Sequence, residues 1–367
     1  MSDFWRRDLI VRRHGGVLDP RRATAHQRYL SEQLRYVLEF NVALLDGLDV
    51  GVDDGAYELL ITDSAEPNAL AYRRFERRAI LVHIGLLESL WAVIARAAHE
   101  PRVLPASFPI EASAATFPPL DPTDWTIPSA RTEYLVQVFL YMLEYVLMHE
   151  FAHHVRGHLD LEPHRVAALQ DERAARAEEM EPAPSGKPAA FSAFDLEFDA
   201  DVHAGELALT ALNARFPFEN GWPEADALEH VFLYVYAHLL VAQQLTPSTS
   251  TPGSAIPSTP SATWRYPAPI YRAINYSNLV THTLRRATGR ESDEAAFVDA
   301  HDKAWSEASY VAEMDGRERG LWHGEDLAPG LMPRFAEHET RLFAAVRRID
   351  ALGGVVDAVD REYGGRD

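Results

Sequence analysis

Five consecutive residues, His149-Glu150-Phe151-Ala152-His153, bring together the side chains that a metal-assisted hydrolysis needs. On an α-helix, residues four apart differ by about 40° around the axis, so both imidazoles reach one cation while Glu150 points toward the water beside it. The spacing predicts a zinc-dependent hydrolase with Glu150 as general base and acid. A catalytic zinc usually takes three protein ligands and keeps a fourth position open, so one more ligand must come from elsewhere. The chain has no cysteine, which restricts that ligand to His, Asp or Glu.

The nearest candidates do not qualify. His154 points about 100° away from His153, and His158 about 140° away unless the helix breaks at Gly157. A metzincin extension would need glycine in place of Arg156 and histidine in place of Leu159. Downstream, Glu197-Phe198-Asp199-Ala200-Asp201 again sets two acids four apart on one helix face. Glu197 can ligate there, while Asp201 accepts a hydrogen bond from the other ring N–H of a zinc histidine and fixes its tautomer. Two neutral imidazoles and one carboxylate leave the zinc site with net positive charge, which lowers the pKa of water at the ion. His158, His203, His230 and His238 read as core or surface histidines, with His230 a spare oxyanion donor.

Several elements must position these groups. Apolar residues recur at helical intervals from Arg22 to Leu48, and Tyr57–Thr62 and Ala79–His83 read as short strands. Gly85-Leu86-Leu87 opens a helix through Ala98. A helix from about Thr132 carries the histidine motif at its far end. Further helices are expected over Val166–Glu181, Ala193–Leu212, Asp226–Leu245, Pro269–Thr288, Glu294–Met314 and Pro333–Val359. Stretches rich in Pro, Ser and Thr interrupt them. The expected organisation is an N-terminal helical segment at 1–56, a core at 57–290 with insertions at 101–130, 182–190 and 246–263, and a C-terminal helical extension at 291–367. The fold class is α+β, mostly helical, with a small sheet.

Four blocks in this order resemble the gluzincin metallopeptidases, specifically soluble relatives of the CAAX-prenyl and heat-shock type and, more loosely, the phage-exclusion metallopeptidases. They are Asn68-Ala69 with Ala79–His83 and Gly85-Leu86-Leu87; His149–His153 extended by Gly157-His158; Glu197 with Ala200-Asp201 as an E-x-x-A-D block; and Tyr266-Pro267 with Arg272 in the place of an H-P-x-x-x-x-R block. Only these short blocks match, and Tyr266 stands where the family has histidine. The resemblance implies a zincin-like core in which Ala79, Ile80, Leu81, Val82 and His83 form an edge strand bordering the substrate cleft. It also implies roles for Tyr266 and Arg272 at the oxyanion or at an acidic group of the substrate. Extended peptides bind by adding a strand to such an edge, so a peptide or protein is the expected substrate. The expected activity is peptide-bond hydrolysis with one Zn2+ per chain. The alternatives are a non-catalytic zincin-fold binding or regulatory protein and a zinc hydrolase of a non-peptide amide or ester.

Composition narrows the partners. Among 367 residues, 55 acidic against 35 basic side chains give a formal charge of -20, which repels nucleic acid and anionic membrane surfaces. The apolar fraction of 47% and mean hydropathy of -0.21 are those of a soluble globular chain. The apolar stretches at Tyr134–Met148 and Val231–Leu245 fall short of the roughly 18 to 20 residues a bilayer span requires, so no membrane insertion is expected. The N-terminal residues do not read as a signal peptide, which leaves a cytoplasmic location as the expectation. Nothing in the pattern sets an oligomeric state.

Overall fold

The computed structural model describes residues 3–46, 57–74, 77–99, 129–161, 193–215, 224–245 and 293–314, with a few positions between 281 and 289. Tyr266, Arg272, the interiors of the three insertions and the helices expected at Val166–Glu181 and Pro333–Val359 lie outside the described residues. The described chain is mostly helical around one small mixed sheet, an α+β arrangement. In chain order the elements are α1 (Asp3–Arg7), α2 (Leu9–Arg13), α3 (Ala25–Asp46), β1 (Tyr57–Thr62), β2 (Ala69–Arg74), β3 (Arg77–His83), α4 (Ile84–His99), α5 (Ser129–Val155), α6 (His158–Leu161), α7 (Ala193–Arg215), α8 (Glu224–Leu245) and α9 (Glu294–Met314).

α3 starts where a reciprocal cap satisfies its first amides. Gln27 N–H donates to Thr24 Oγ1 at 3.1 Å, and Thr24 N–H donates to Gln27 Oε1 at 3.0 Å. Its buried stripe, Leu30, Leu34, Val37, Leu38 and Val42, has the three-and-four spacing of a helix packed on one side. α5 differs, being apolar on all sides and packed against α3, α4, α6, α7, α8, β2 and β3. Its stretch Leu135–Val155 is long and apolar enough to cross a membrane, with mean hydropathy 1.3, yet 94% of that stretch is buried inside the fold. Such burial is that of a core helix.

The sheet order is β1-β3-β2, with β1 parallel and β2 antiparallel to β3. This corrects the expectation for Ala79, Ile80, Leu81, Val82 and His83. They lie on the central strand, paired on one side with Glu58–Thr62 and on the other with Ala69–Tyr72 as far as Val82. Main-chain groups used on both sides cannot also accept an added peptide strand. The strand that displaces β3 from the edge, β2, is not among the strands expected from the sequence. Its apolar residues are few: Leu70 and Tyr72 face one side and the small Ala69 and Ala71 alternate with them.

Both sheet faces are covered. Leu60, Leu70, Tyr72, Ala79 and Leu81 pack with Trp5 and Val11 of the N-terminal helices. Ile61, Ile80 and Val82 join the helical core on the opposite face. The N-terminal helices are locked down by Asp8, 1% exposed, which caps α2 by accepting from Ile10 N–H at 2.7 Å and Val11 N–H at 3.2 Å. The same carboxylate accepts from Tyr72 Oη at 3.2 Å and pairs with Arg74. Burial alone would raise its pKa, but Arg74 and the two amides outweigh that and hold it below the ordinary value. Gly15 closes the connection with φ at 88°, where a Cβ would meet Asp63 O at 2.2 Å.

A histidine pair fastens the same segment. His83 Nδ1–H donates to Glu66 O at 3.1 Å, which leaves His83 Nε2 to accept from His14 Nδ1–H at 3.0 Å. Burial, with the His14 ring beside it, pushes His83 down to about 4.

Two stability outcomes are expected. Asp8→Ala removes a helix cap and a buried charge-assisted contact, and should lower the unfolding free energy at pH 7 by about 2–4 kcal/mol; a loss below about 0.5 kcal/mol in urea unfolding would contradict the role. His83 in the fold titrates below its ordinary 6.5, so its stabilisation is complete above that pH and is lost as pH falls through about 4. The stability advantage of wild type over His83→Phe should therefore shrink across that interval, and a constant difference would oppose the assignment.

Candidate metal centre

α5 and α7 lie side by side and bring the two acid-and-histidine blocks together. His149 Nε2 stands 3.2 Å from His153 Nε2 and 3.2 Å from Glu197 Oε2, while His153 Nε2 is 3.6 Å from Glu197 Oε1. The three residues are buried and offer ligand atoms all within 4.8 Å of one another, a cluster able to hold a metal ion. Bonds of about 2.0–2.1 Å at tetrahedral angles separate ligand atoms by about 3.3–3.4 Å, so the observed spacings suit a zinc-sized ion.

Hydrogen bonding decides which atoms face the cluster. Asp201, 1% exposed, has Oδ1 at 2.9 Å from His149 Nδ1 and also accepts from Tyr145 Oη at 2.9 Å. A carboxylate can only accept, so His149 carries a proton on Nδ1, and in the neutral ring Nε2 is the atom with the lone pair. The Glu197 carboxyl is buried, which by itself raises its pKa, but the His153 and His149 imidazoles overcome that and hold it well below the ordinary range. Two ring nitrogens and a carboxylate therefore converge. Glu150, the residue after His149, is also buried, at 5% exposure.

Beneath the cluster lies a second layer that sequence reasoning did not find. α5 ends at Val155, and Gly157 adopts φ of 69°, a left-handed conformation that reverses the chain. The break brings His158 Nδ1 to 2.9 Å from His153 Nδ1, and His158 Nε2 to 2.7 Å from Asp199 Oδ2. Arg156 makes a two-pronged contact with Asp199, Nε to Oδ2 at 2.9 Å and Nη2 to Oδ1 at 3.1 Å. His203 Nδ1–H donates to Asp199 O at 2.9 Å, and its Nδ1 lies 3.6 Å from Asp199 Oδ2. Burial opposes ionisation of Asp199, but the hydrogen bond from His158, the charge at His203 and the Arg156 contact bring it down to about 2.

Among the described residues, His154, His230 and His238 sit elsewhere. His154 donates from Nε2 to Ala79 O at 3.0 Å, tying α5 to β3, and burial pushes it down to about 3. His230 Nδ1 is 3.1 Å from Tyr141 Oη, and Tyr141 precedes His149 by two helical turns, about 12 Å along α5, so His230 is removed from the cluster. His238 packs its ring edge against Tyr145 at 4.0 Å. Tyr145, Arg156, His158, Asp199 and His203 are the residues missed. Two signals pointed to them: Tyr145 precedes His149 by one turn, and Leu196, Phe198, Ala200 and Ala204 surround Asp199 with apolar neighbours that bury it.

Comparison with protein-family models, curated proteins and solved structures finds no match for this chain. The site therefore rests on its own geometry.

Gly157→Ala should cost about 1–2 kcal/mol in urea unfolding, because the left-handed turn disfavours a Cβ. An unchanged midpoint would mean that the turn places no demand on that residue.

Proposed function

We propose that the chain is a zinc-dependent metallopeptidase, with His149, His153 and Glu197 holding one Zn2+. The observation that carries this reading is the convergence of two imidazole nitrogens and a carboxylate at 3.2–3.6 Å in a buried space. A cation among them would satisfy all three groups at once. Two neutral imidazoles and a carboxylate, with no cysteine, form a donor set for zinc at a hydrolytic site. A zinc ion held there would supply the Lewis acidity that acidifies water and polarises a carbonyl.

The chain's own groups do the rest. Glu150 follows His149 on the same helix turn and takes a proton from water as the water oxygen bonds to the substrate carbonyl carbon. It then delivers that proton to the leaving nitrogen as the C–N bond breaks. Asp201, held by Tyr145, keeps His149 in the ligating tautomer. Among the described residues β2 pairs only with β3, whereas the outer edge of β1 meets Val17 and Leu18. Strand addition by a peptide substrate is accordingly assigned to β2, Ala69–Arg74, in place of Ala79–His83. Tyr266 and Arg272 remain proposed oxyanion or substrate groups on the family resemblance alone.

Glu150→Gln should retain zinc and lose at least about 100-fold in hydrolysis of an unfolded protein substrate such as casein. Undiminished cleavage by the purified variant would remove Glu150 from the chemistry. Glu197→Ala should lower the zinc content per chain after dialysis, and full retention would place the third ligand elsewhere.

A further inference from the structure

Building on the metal reading above, we propose that Asp199 and His158 form a relay that fixes His153 in the tautomer a metal ligand requires. His158 is then a positioning residue, one step removed from the ion. The polarity of the chain follows from its fixed end. Asp199 is fully buried and accepts two hydrogen bonds from Arg156, so its carboxylate is an acceptor. His158 Nε2, 2.7 Å from Asp199 Oδ2, must donate to it. A neutral imidazole that donates from Nε2 has a bare Nδ1, and this atom faces His153 Nδ1 at 2.9 Å. The proton between the two rings therefore belongs to His153. With Nδ1 protonated, His153 presents a bare Nε2 toward His149 and Glu197, as ligation demands.

The two ligating histidines thus reach the same tautomer by different routes. His149 is held directly by the Asp201 carboxylate. His153 is held by an imidazole inserted between it and a carboxylate, which keeps the Asp199 charge beside Arg156 and one ring further from the cluster. Gly157 makes the insertion possible. Were α5 to continue through it, His158 would lie about 140° around the axis from His153.

The test locates the shared proton in full-length protein labelled with 15N-histidine, metal-free and at neutral pH. His158→Gln and His158→Phe, checked for folding by circular dichroism, identify the His158 signals by their loss. The proton should be bonded to His153 Nδ1, with His158 protonated at Nε2 and bare at Nδ1. A proton on His158 Nδ1 overturns the relay, and either variant, if folded, is enough to identify that signal. In a second arm, Zn2+ affinity is measured by competition with a chelator. His158→Phe should bind about 10- to 100-fold more weakly. His158→Gln, whose amide can accept from His153 and donate to Asp199, should recover most of that loss. Wild-type affinity in His158→Phe also overturns the relay. If wild type itself takes up no zinc, the metallopeptidase reading falls, while the position of the shared proton is still decided in the metal-free protein.

Discussion

Two imidazoles and a carboxylate lie within 4.8 Å of one another in a buried space, and the surrounding fold has to hold them there. The force that holds them is apolar packing of α5. That helix contributes Phe139, Leu143, Leu147 and Phe151, each fully buried, from the same turns that project Tyr145, His149 and His153. At about 1.5–3 kcal/mol for each large apolar side chain buried, the packing outweighs the cost of lining up polar groups along one face. Every polar group in that line then needs a partner. Asp201 serves His149, His158 serves His153, and Tyr145 and Arg156 serve the two aspartates in turn.

The small sheet has a supporting part. β3 runs through its centre and hands the chain directly to α4 at Ile84, while His154 anchors the end of α5 to Ala79. The sheet therefore fixes where the last turns of α5 lie, and α7 fixes what they meet. Covering the other face falls to the N-terminal helices, whose attachment depends on Asp8 and on the His14–His83 pair.

Much of this was legible in the residues. Short continuous apolar runs at Tyr57–Thr62 and Ala79–His83 and the helical pattern of 294–314 correspond to elements that the fold contains, because each carries a pattern of its own. β2 was hidden because alanine has little strand preference and arginines fill its second half, so that only pairing with β3 reveals it. The edge assignment failed with it, since order within a sheet is a long-range property. At the candidate metal centre, His149 with His153 and Glu197 with Asp201 were legible through the four-residue spacing on helices. His158 and Asp199 were not, because their roles depend on one left-handed glycine and on a helix pairing across more than forty residues.

The most direct measurement is zinc content with X-ray absorption at the zinc edge, made on full-length protein purified without added chelator. One zinc per chain, bound by two imidazole nitrogens and oxygen ligands at about 2.0–2.1 Å, is expected. A chain that takes up no zinc, or zinc coordinated without imidazole, would contradict the proposed site.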